Sequence, residues 1–180
     1  MSDNIRELKI SGAYEFTADP KYDDRGFFVR VFCQNQLISV NNARNILQMN
    51  ISYTKYRGTI RGMHYQRAPY QEDKFVRCIR GSVFDVIVDL RRESETFGRW
   101  ESIKLTAHKM NAVYIPKGCA HGFQTLEDDC EILYCHSEIH APAYEAGFKY
   151  DCDTVGIEWP IEPRNISRRD NALPKFGAAS

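Results

Sequence analysis

Three short stretches of the chain carry residue types that could do chemistry. "YRGTIRGMHYQRAP" (56–69) sets His64 behind a glycine–arginine–glycine frame, and "YIPKGCAHGFQTL" (114–126) sets His121 behind Pro116 and Gly118. Two such histidines can ligate a metal, act as a catalytic base and its helper, or sit in a core. A borderline divalent metal needs three or four N, O or S ligands converging on it, and these stretches offer two histidines. A core position fits poorly as well, because buried polar groups need partners. Arg57, Arg61, Arg67 and Lys74 flank His64 and imply a wet, charged cavity instead. The third stretch, "CEILYCHSEIH" (130–140), alternates. On a strand it puts Ile132, Tyr134, His136, Glu138 and His140 on one face, and Leu133, Cys135 and Ile139 on an apolar opposite face.

The elements that must position these residues read as β almost throughout. "KFVRCIRGSVFDVIVDLR" (74–91) is two strands about Gly81; in the second, Phe84, Val86, Val88 and Leu90 share one face and Val83, Asp85, Ile87 and Asp89 the other. "WESIKLTA" and "NAVYIPKG" continue the pattern, with turns between. Short strands separated by glycine and charged turns predict an all-β antiparallel sandwich or barrel. Helix is expected only near residues 34–40. The stretch 159–180, with Pro160, Pro163 and Pro174, reads as irregular chain laid on the body.

Composition narrows the function classes. The 180 residues suit one domain, 1–180, with a sizeable core. Lys plus Arg equals Asp plus Glu at 24 each, so no overall field recruits nucleic acid or a membrane, and any bound anion must meet a local cluster. No apolar run approaches a membrane span and "MSDNIRELKI" lacks the apolar core of a signal peptide, so the expected location is the cytoplasm. The six cysteines form no C-x-x-C pair and are read as reduced structural thiols; Cys78 and Cys135 lie inside strand-like runs.

"IPKGCAH" resembles the second signature of the cupin jelly rolls. The metal-binding cupins supply H-x-H and a nearby glutamate in their first signature. Here that segment reads His64-Tyr65-Gln66, and the next acid, Glu72, lies too far on. The order "DDRGFF", "QMNISYTKYRGTIRGMHYQ", "KFVRCIRGSVFDVIVDLR", "TFGRW", "YIPKGCAHGFQTL" and "ISRRD" resembles the dTDP-4-dehydrorhamnose 3,5-epimerase family, metal-free members of the cupin superfamily. The match runs from about Asp23 to Asp170. It implies a cupin-type jelly roll that needs neither metal nor cofactor, and a homodimer in which an N-terminal segment crosses to the partner's sheet. The implied substrate is a nucleotide-diphosphate-linked 4-keto-6-deoxy sugar, a precursor of cell-surface polysaccharide.

The implied chemistry is proton abstraction next to a ketone. A 4-keto sugar has two such carbons, C3 and C5, and inverting one takes a base on one face, a proton donor on the other and positive charge at the enolate oxygen. The resemblance makes His64 the base, paired with Asp170, and His64 alone would suggest it because imidazole titrates near neutrality. Lys74 falls at the enolate oxygen and Tyr134 at the proton donor. Arg25, Arg61 and His121 match the diphosphate positions, Gln48 and Asn50 line the same pocket, and Phe28 stacks on the base of a nucleotide held mainly by the other subunit.

The sequence departs from the family pattern twice. Arg30 stands where the family has a base-binding glutamate, which implies altered base recognition and admits a CDP- or GDP-linked sugar. His140 stands where the family has a tyrosine beside the sugar, which implies a shifted substrate or regiochemistry. A single-site epimerase or a 3,4-ketoisomerase would use the same enolate chemistry. A non-catalytic sugar-nucleotide binding module would use the same fold, since fold alone does not imply activity. A metal-dependent cupin would require stoichiometric metal.

Overall fold

The computed structural model describes residues 4–41 and 45–177. Its strands form two antiparallel sheets packed face to face. The first sheet has the spatial order β1 (Ile5–Glu7), β2 (Tyr14–Thr17), β10 (Asn111–Ile115), β7 (Lys74–Arg80), β12 (Cys130–His136), β5 (Gln48–Thr54). The second runs β13 (Glu145–Gly147), β6 (Ile60–Gln66), β11 (Cys119–Thr125), β8 (Ser82–Asp89), β9 (Trp100–Thr106). A separate hairpin, β3 (Lys21–Asp23) and β4 (Gly26–Phe28), stands apart from both. The sequence-expected helix is present as α1 (Gln34–Asn41). This is the all-β jelly roll that the strand pattern and the resemblance implied.

Alternation explains the layering. Val76, Cys78, Val113, Ile115 and Ile132 of the first sheet face Val83, Ile87, Leu105 and Phe123 of the second in one buried cluster. Burying each large apolar side chain contributes roughly 1.5–3 kcal/mol. The outer face of the first sheet packs Phe75, Tyr114 and Cys135 against Leu37 of α1. The outer face of the second carries Val86 and Val88, covered by Phe148 and Val155 of the segment after β13 and by Trp159 and Phe176 of the C-terminal tail. Both faces of β8 are therefore buried, as its unbroken apolar run suggests. No helix among the described residues is long and apolar enough to cross a membrane, and the six cysteines are free thiols.

Two details differ from the sequence-based expectations. The strand β12 ends at His136, because Ser137 turns the chain: its N–H donates to Asp73 O at 3.0 Å and its Oγ accepts from Asp73 N at 2.7 Å. Glu138 and His140 thus follow in a loop, and the alternation does not extend to them. The tail is not wholly irregular, since it contains the helical turn α2 (Arg168–Asn171), N-capped by Ser167. Four residues are too few to show helical periodicity, although S-x-x-D is a capping pattern. The N-terminal hairpin β1–β2 pairs with β10 of the same chain.

Candidate active site

His64 and His121 are brought together by strand register. In the pairing of β6 with β11, His64 lies directly opposite His121, so both side chains project from the same face. The glycines framing them explain how the strands come so close. A Cβ at Gly62, whose φ is +133°, would lie 2.5 Å from Gly122 Cα, and one at Gly122 would lie 2.6 Å from Met63 Sδ. A side chain at either position would force β6 and β11 apart.

Each histidine has a carboxylate of its own. His64 Nε2 is 2.8 Å from Asp170 Oδ1. Asp170 Oδ2 accepts from the Gly62 N–H at 3.4 Å, and the Asp170 N–H donates to Ser167 Oγ at 2.9 Å. Burial alone would raise the Asp170 carboxyl, but the His64 bond and charge, with the Gly62 N–H, hold it below the ordinary carboxylate range. An ionised carboxylate can only accept, so the shared proton sits on Nε2 and Nδ1 keeps its lone pair. The second pair is deeper: His121 Nε2 lies 2.8 Å from Asp85 Oδ2, with both side chains buried. Burial raises the Asp85 carboxyl, the His121 interaction opposing it, and Asp85 Oδ1 has no hydrogen-bond partner. Among the described residues no group of His, Cys, Asp and Glu is arranged to hold a metal ion.

His64, Asp170 and His121 border a cavity of about 620 Å³ between the sheets. One wall comes from β6 and β11, with Arg61, His64 and His121; the other comes from β5, β7 and β12, with Asn50, Ser52, Lys74, Tyr134 and His136. Tyr134 hydrogen-bonds Ser52 through its hydroxyl at 3.1 Å. Burial pushes that hydroxyl well above the ordinary phenol value, although the Ser52 bond works against it. It stays protonated at neutral pH, as a proton donor must. Arg61 is fixed by Nε to Thr54 Oγ1 at 2.9 Å and by its terminal nitrogen to Tyr53 O at 3.1 Å. At the rim, Glu145 pairs with Arg169 and approaches His140 Nε2 at 3.6 Å.

The fold therefore gathers His64, Lys74, Asp170 and Tyr134, with Asn50, Arg61, His121 and His140, around one cavity. Gln48 is not in its lining; its Oε1 accepts from the His140 N–H at 3.1 Å and fixes the loop that carries His140. Arg25 and Phe28 lie on the β3–β4 hairpin away from this cavity, with Phe28 77% exposed and Arg25 paired to Asp23. Arg30 borders a smaller, separate hollow with Arg77 and Phe32. Sequence reasoning missed Ser52, Glu145 and Arg169 as cavity groups, Asp85 as the partner of His121, and Glu72 and His136 as a bonded pair (2.7 Å). Only Asp85 left a signal: an acid on the inward face of an apolar strand must find a partner.

The family model described as dTDP-4-dehydrorhamnose 3,5-epimerase matches residues 7–178. The chain belongs to this family. It is 38% identical over 174 residues to the dTDP-4-dehydrorhamnose 3,5-epimerase of Shigella flexneri, covering 96% of each chain. The epimerase structure from Bacillus anthracis, with TDP and pyrophosphate bound, superposes with a TM-score of 0.92 at 32% identity, covering 96% of this chain and 98% of that one. A 3'-monoepimerase from Streptomyces bikiniensis in complex with dTDP-quinovose is also similar, with a TM-score of 0.87 and 34% identity over 94% of this chain and 86% of that one. Membership makes this chain an isomerase of the epimerase class.

Proposed function

We propose that the chain inverts C3, C5 or both in a nucleotide-diphosphate-linked 4-keto-6-deoxy sugar, by removing a proton next to the ketone and returning one from the other side. The observation that carries this reading is that base and acid stand on different sheets. His64 with Asp170 belongs to the β6 wall, and the protonated Tyr134 to the facing β12 wall. A proton taken by Nδ1 of His64 leaves an enolate whose oxygen meets the Lys74 ammonium, and Asp170 stabilises the imidazolium that results. Tyr134 then protonates the opposite face. Arg61 and Arg169, both in the cavity lining, suit the diphosphate, since guanidinium forks match phosphate oxygens.

The active unit in this proposal is a single epimerase domain over 1–180 that works as a homodimer in the cytoplasm and takes a dTDP-sugar as the first substrate to test. Two surfaces support the dimer. The β3–β4 hairpin holds Arg25, Phe27 and Phe28 out into solvent, away from the cavity of its own chain. The edge strand β5 exposes Met49, Ile51 and Tyr53 in a row, an apolar stripe that invites cover. A neighbour lying on β5 would bring its hairpin to this chain's cavity. The monoepimerase among the similar structures gives one-carbon inversion equal standing with the two-carbon reaction.

The test is deuterium uptake from D2O into 4-keto-6-deoxyglucose attached in turn to dTDP, CDP and GDP. Uptake at C3, C5 or both fixes the regiochemistry, and the preferred nucleotide fixes the base. Tight binding of all three with no uptake at either carbon would overturn the reading in favour of a binding module.

A further inference from the structure

Beside Lys74 the cavity wall holds a cluster that the reaction above does not use. His136 on β12 lies directly opposite Lys74 on β7 in the register of the first sheet. Two cationic side chains so placed would repel each other. Between them sits the Glu72 carboxylate, with one oxygen 2.7 Å from His136 Nδ1 and the other 3.4 Å from Lys74 Nζ. All three are nearly buried, at 8%, 11% and 13% side-chain exposure for Glu72, Lys74 and His136, and all line the cavity. Burial would raise the Glu72 carboxyl, but the His136 hydrogen bond and the Lys74 charge outweigh it, so Glu72 remains ionised at neutral pH.

The far side of His136 is also occupied. Its Nε2 lies 3.3 Å from Asn50 Nδ2, and its ring stacks on Tyr134 with centroids 6.0 Å apart and planes 21° from parallel. A carboxylate on Nδ1 and an amide N–H on Nε2 are satisfied together by one form of the ring, the neutral tautomer with the proton on Nδ1. Glu72 is therefore loaded on one oxygen by a fixed donor. Its pull on Lys74 is correspondingly moderate: 3.4 Å is longer than the 2.7–2.9 Å of a strong charged hydrogen bond. The ammonium has three N–H donors, so one steered by Glu72 leaves two for an anionic oxygen in the cavity.

We propose that Glu72 and His136 are positioning residues for Lys74. Glu72, clamped by His136, sets where the ammonium's charge falls in the cavity without tying it up. Lysine has a long flexible stem, and oxyanion stabilisation depends on donors standing ready at the oxygen. The fixed carboxylate supplies that readiness. The kinetic consequence rests on the epimerase reading; the geometry of the pair does not.

Glu72→Gln, which keeps the shape, should lower kcat for deuterium uptake about tenfold, the size of one lost hydrogen bond to a charged group, with little change in KM. If Glu72 acts through Lys74, adding Glu72→Gln to Lys74→Ala costs nothing further. His136→Gln, which still offers an N–H, should retain most of the rate, and His136→Phe should reproduce the Glu72→Gln deficit. A further tenfold loss in the double variant, or full kcat in Glu72→Gln or His136→Phe, would overturn the proposal. A readout without substrate separates it from the epimerase reading. In ¹⁵N NMR of the whole protein, His136 should carry its proton on Nδ1, and Glu72→Gln should mix the tautomers. An ordered tautomer in a wild type without exchange would support the pair and sink the epimerase assignment; a mixed tautomer in an exchanging wild type would overturn the pair.

Discussion

Replacing Asp170 by Asn keeps the side chain's size and its place on α2, and changes only what its terminal atoms can do. In the wild type one carboxylate oxygen accepts from His64 Nε2 at 2.8 Å and the other from the Gly62 N–H at 3.4 Å. An amide has one oxygen to offer. Turned toward His64, it leaves its NH2 group facing the Gly62 donor. Turned toward Gly62, it drives the imidazole into the other tautomer, with the proton on Nδ1 where the lone pair is needed. Losing a hydrogen bond to a charged group is worth roughly 1.5–3 kcal/mol, or about 10- to 150-fold in rate. A wrong tautomer extends the deficit toward about 10⁴. The expected outcome is a fall in kcat for deuterium uptake of about 10²–10⁴, with KM within about threefold, because the proposed function assigns the diphosphate to the arginines and not to Asp170. Acid stability should change as well. The depressed native carboxyl contributes stability in full above the ordinary value of about 3.9, lost as pH falls through its lower folded value. Urea midpoints of the Asn variant should therefore be flatter than wild type below about pH 4. A variant retaining more than about a tenth of the wild-type rate would refute the tautomer argument.

Tyr134→Phe should leave the first deprotonation running while blocking inversion, so NMR would find deuterium in substrate of unchanged configuration; full epimerisation by the variant would assign the donor elsewhere. If the β3–β4 hairpin serves a neighbour's cavity, mixing inactive His64→Ala with inactive Arg25→Ala chains should restore activity through dimers holding one intact site, and no recovery would count against the shared site. Asp89, which burial alone would raise, is held at about 2 by Arg91, Ser94 and Thr96. Asp89→Asn should lower the melting temperature at pH 7, and the gap from wild type should close as pH falls from about 4 toward 2; a constant gap would sink that account.

Much of the fold was legible because β-structure announces itself two residues at a time. The faces of β8, the turn at Gly81 and the helix near residue 34 all follow from local pattern. The site was legible where a residue's own strand marks it, as with His64 and Tyr134, while the role of Lys74 came from the family pattern. It was not legible where a partner comes from elsewhere in the chain: Asp85 for His121, Glu72 for His136, Glu145 for Arg169. Such pairs are set by register and packing between segments distant in sequence, and no window of sequence contains both members. The break of β12 at Ser137 was hidden for the same reason, since it depends on Asp73. Asp170 shows the complement. Nothing in its neighbourhood marks it as more than a surface acid, and only the family pattern singled it out before α2 was seen to set it against His64.

Half of the His64–Asp170 dyad arrives on the tail, and the tail is held differently from the sandwich. Phe176 rests on Phe148 with centroids 5.3 Å apart, Trp159 on Phe84 at 6.0 Å, and the backbone is pinned by Arg164 N–H to Gly58 O at 2.8 Å and Lys149 N–H to Pro174 O at 2.9 Å. Such an edge segment can lift off locally at a lower free-energy cost than opening the strands beneath it. Turnover then reports an equilibrium of its own. On warming, catalysis should fade while circular dichroism still records an intact sandwich, and the interval between the two curves would measure how firmly α2 is seated.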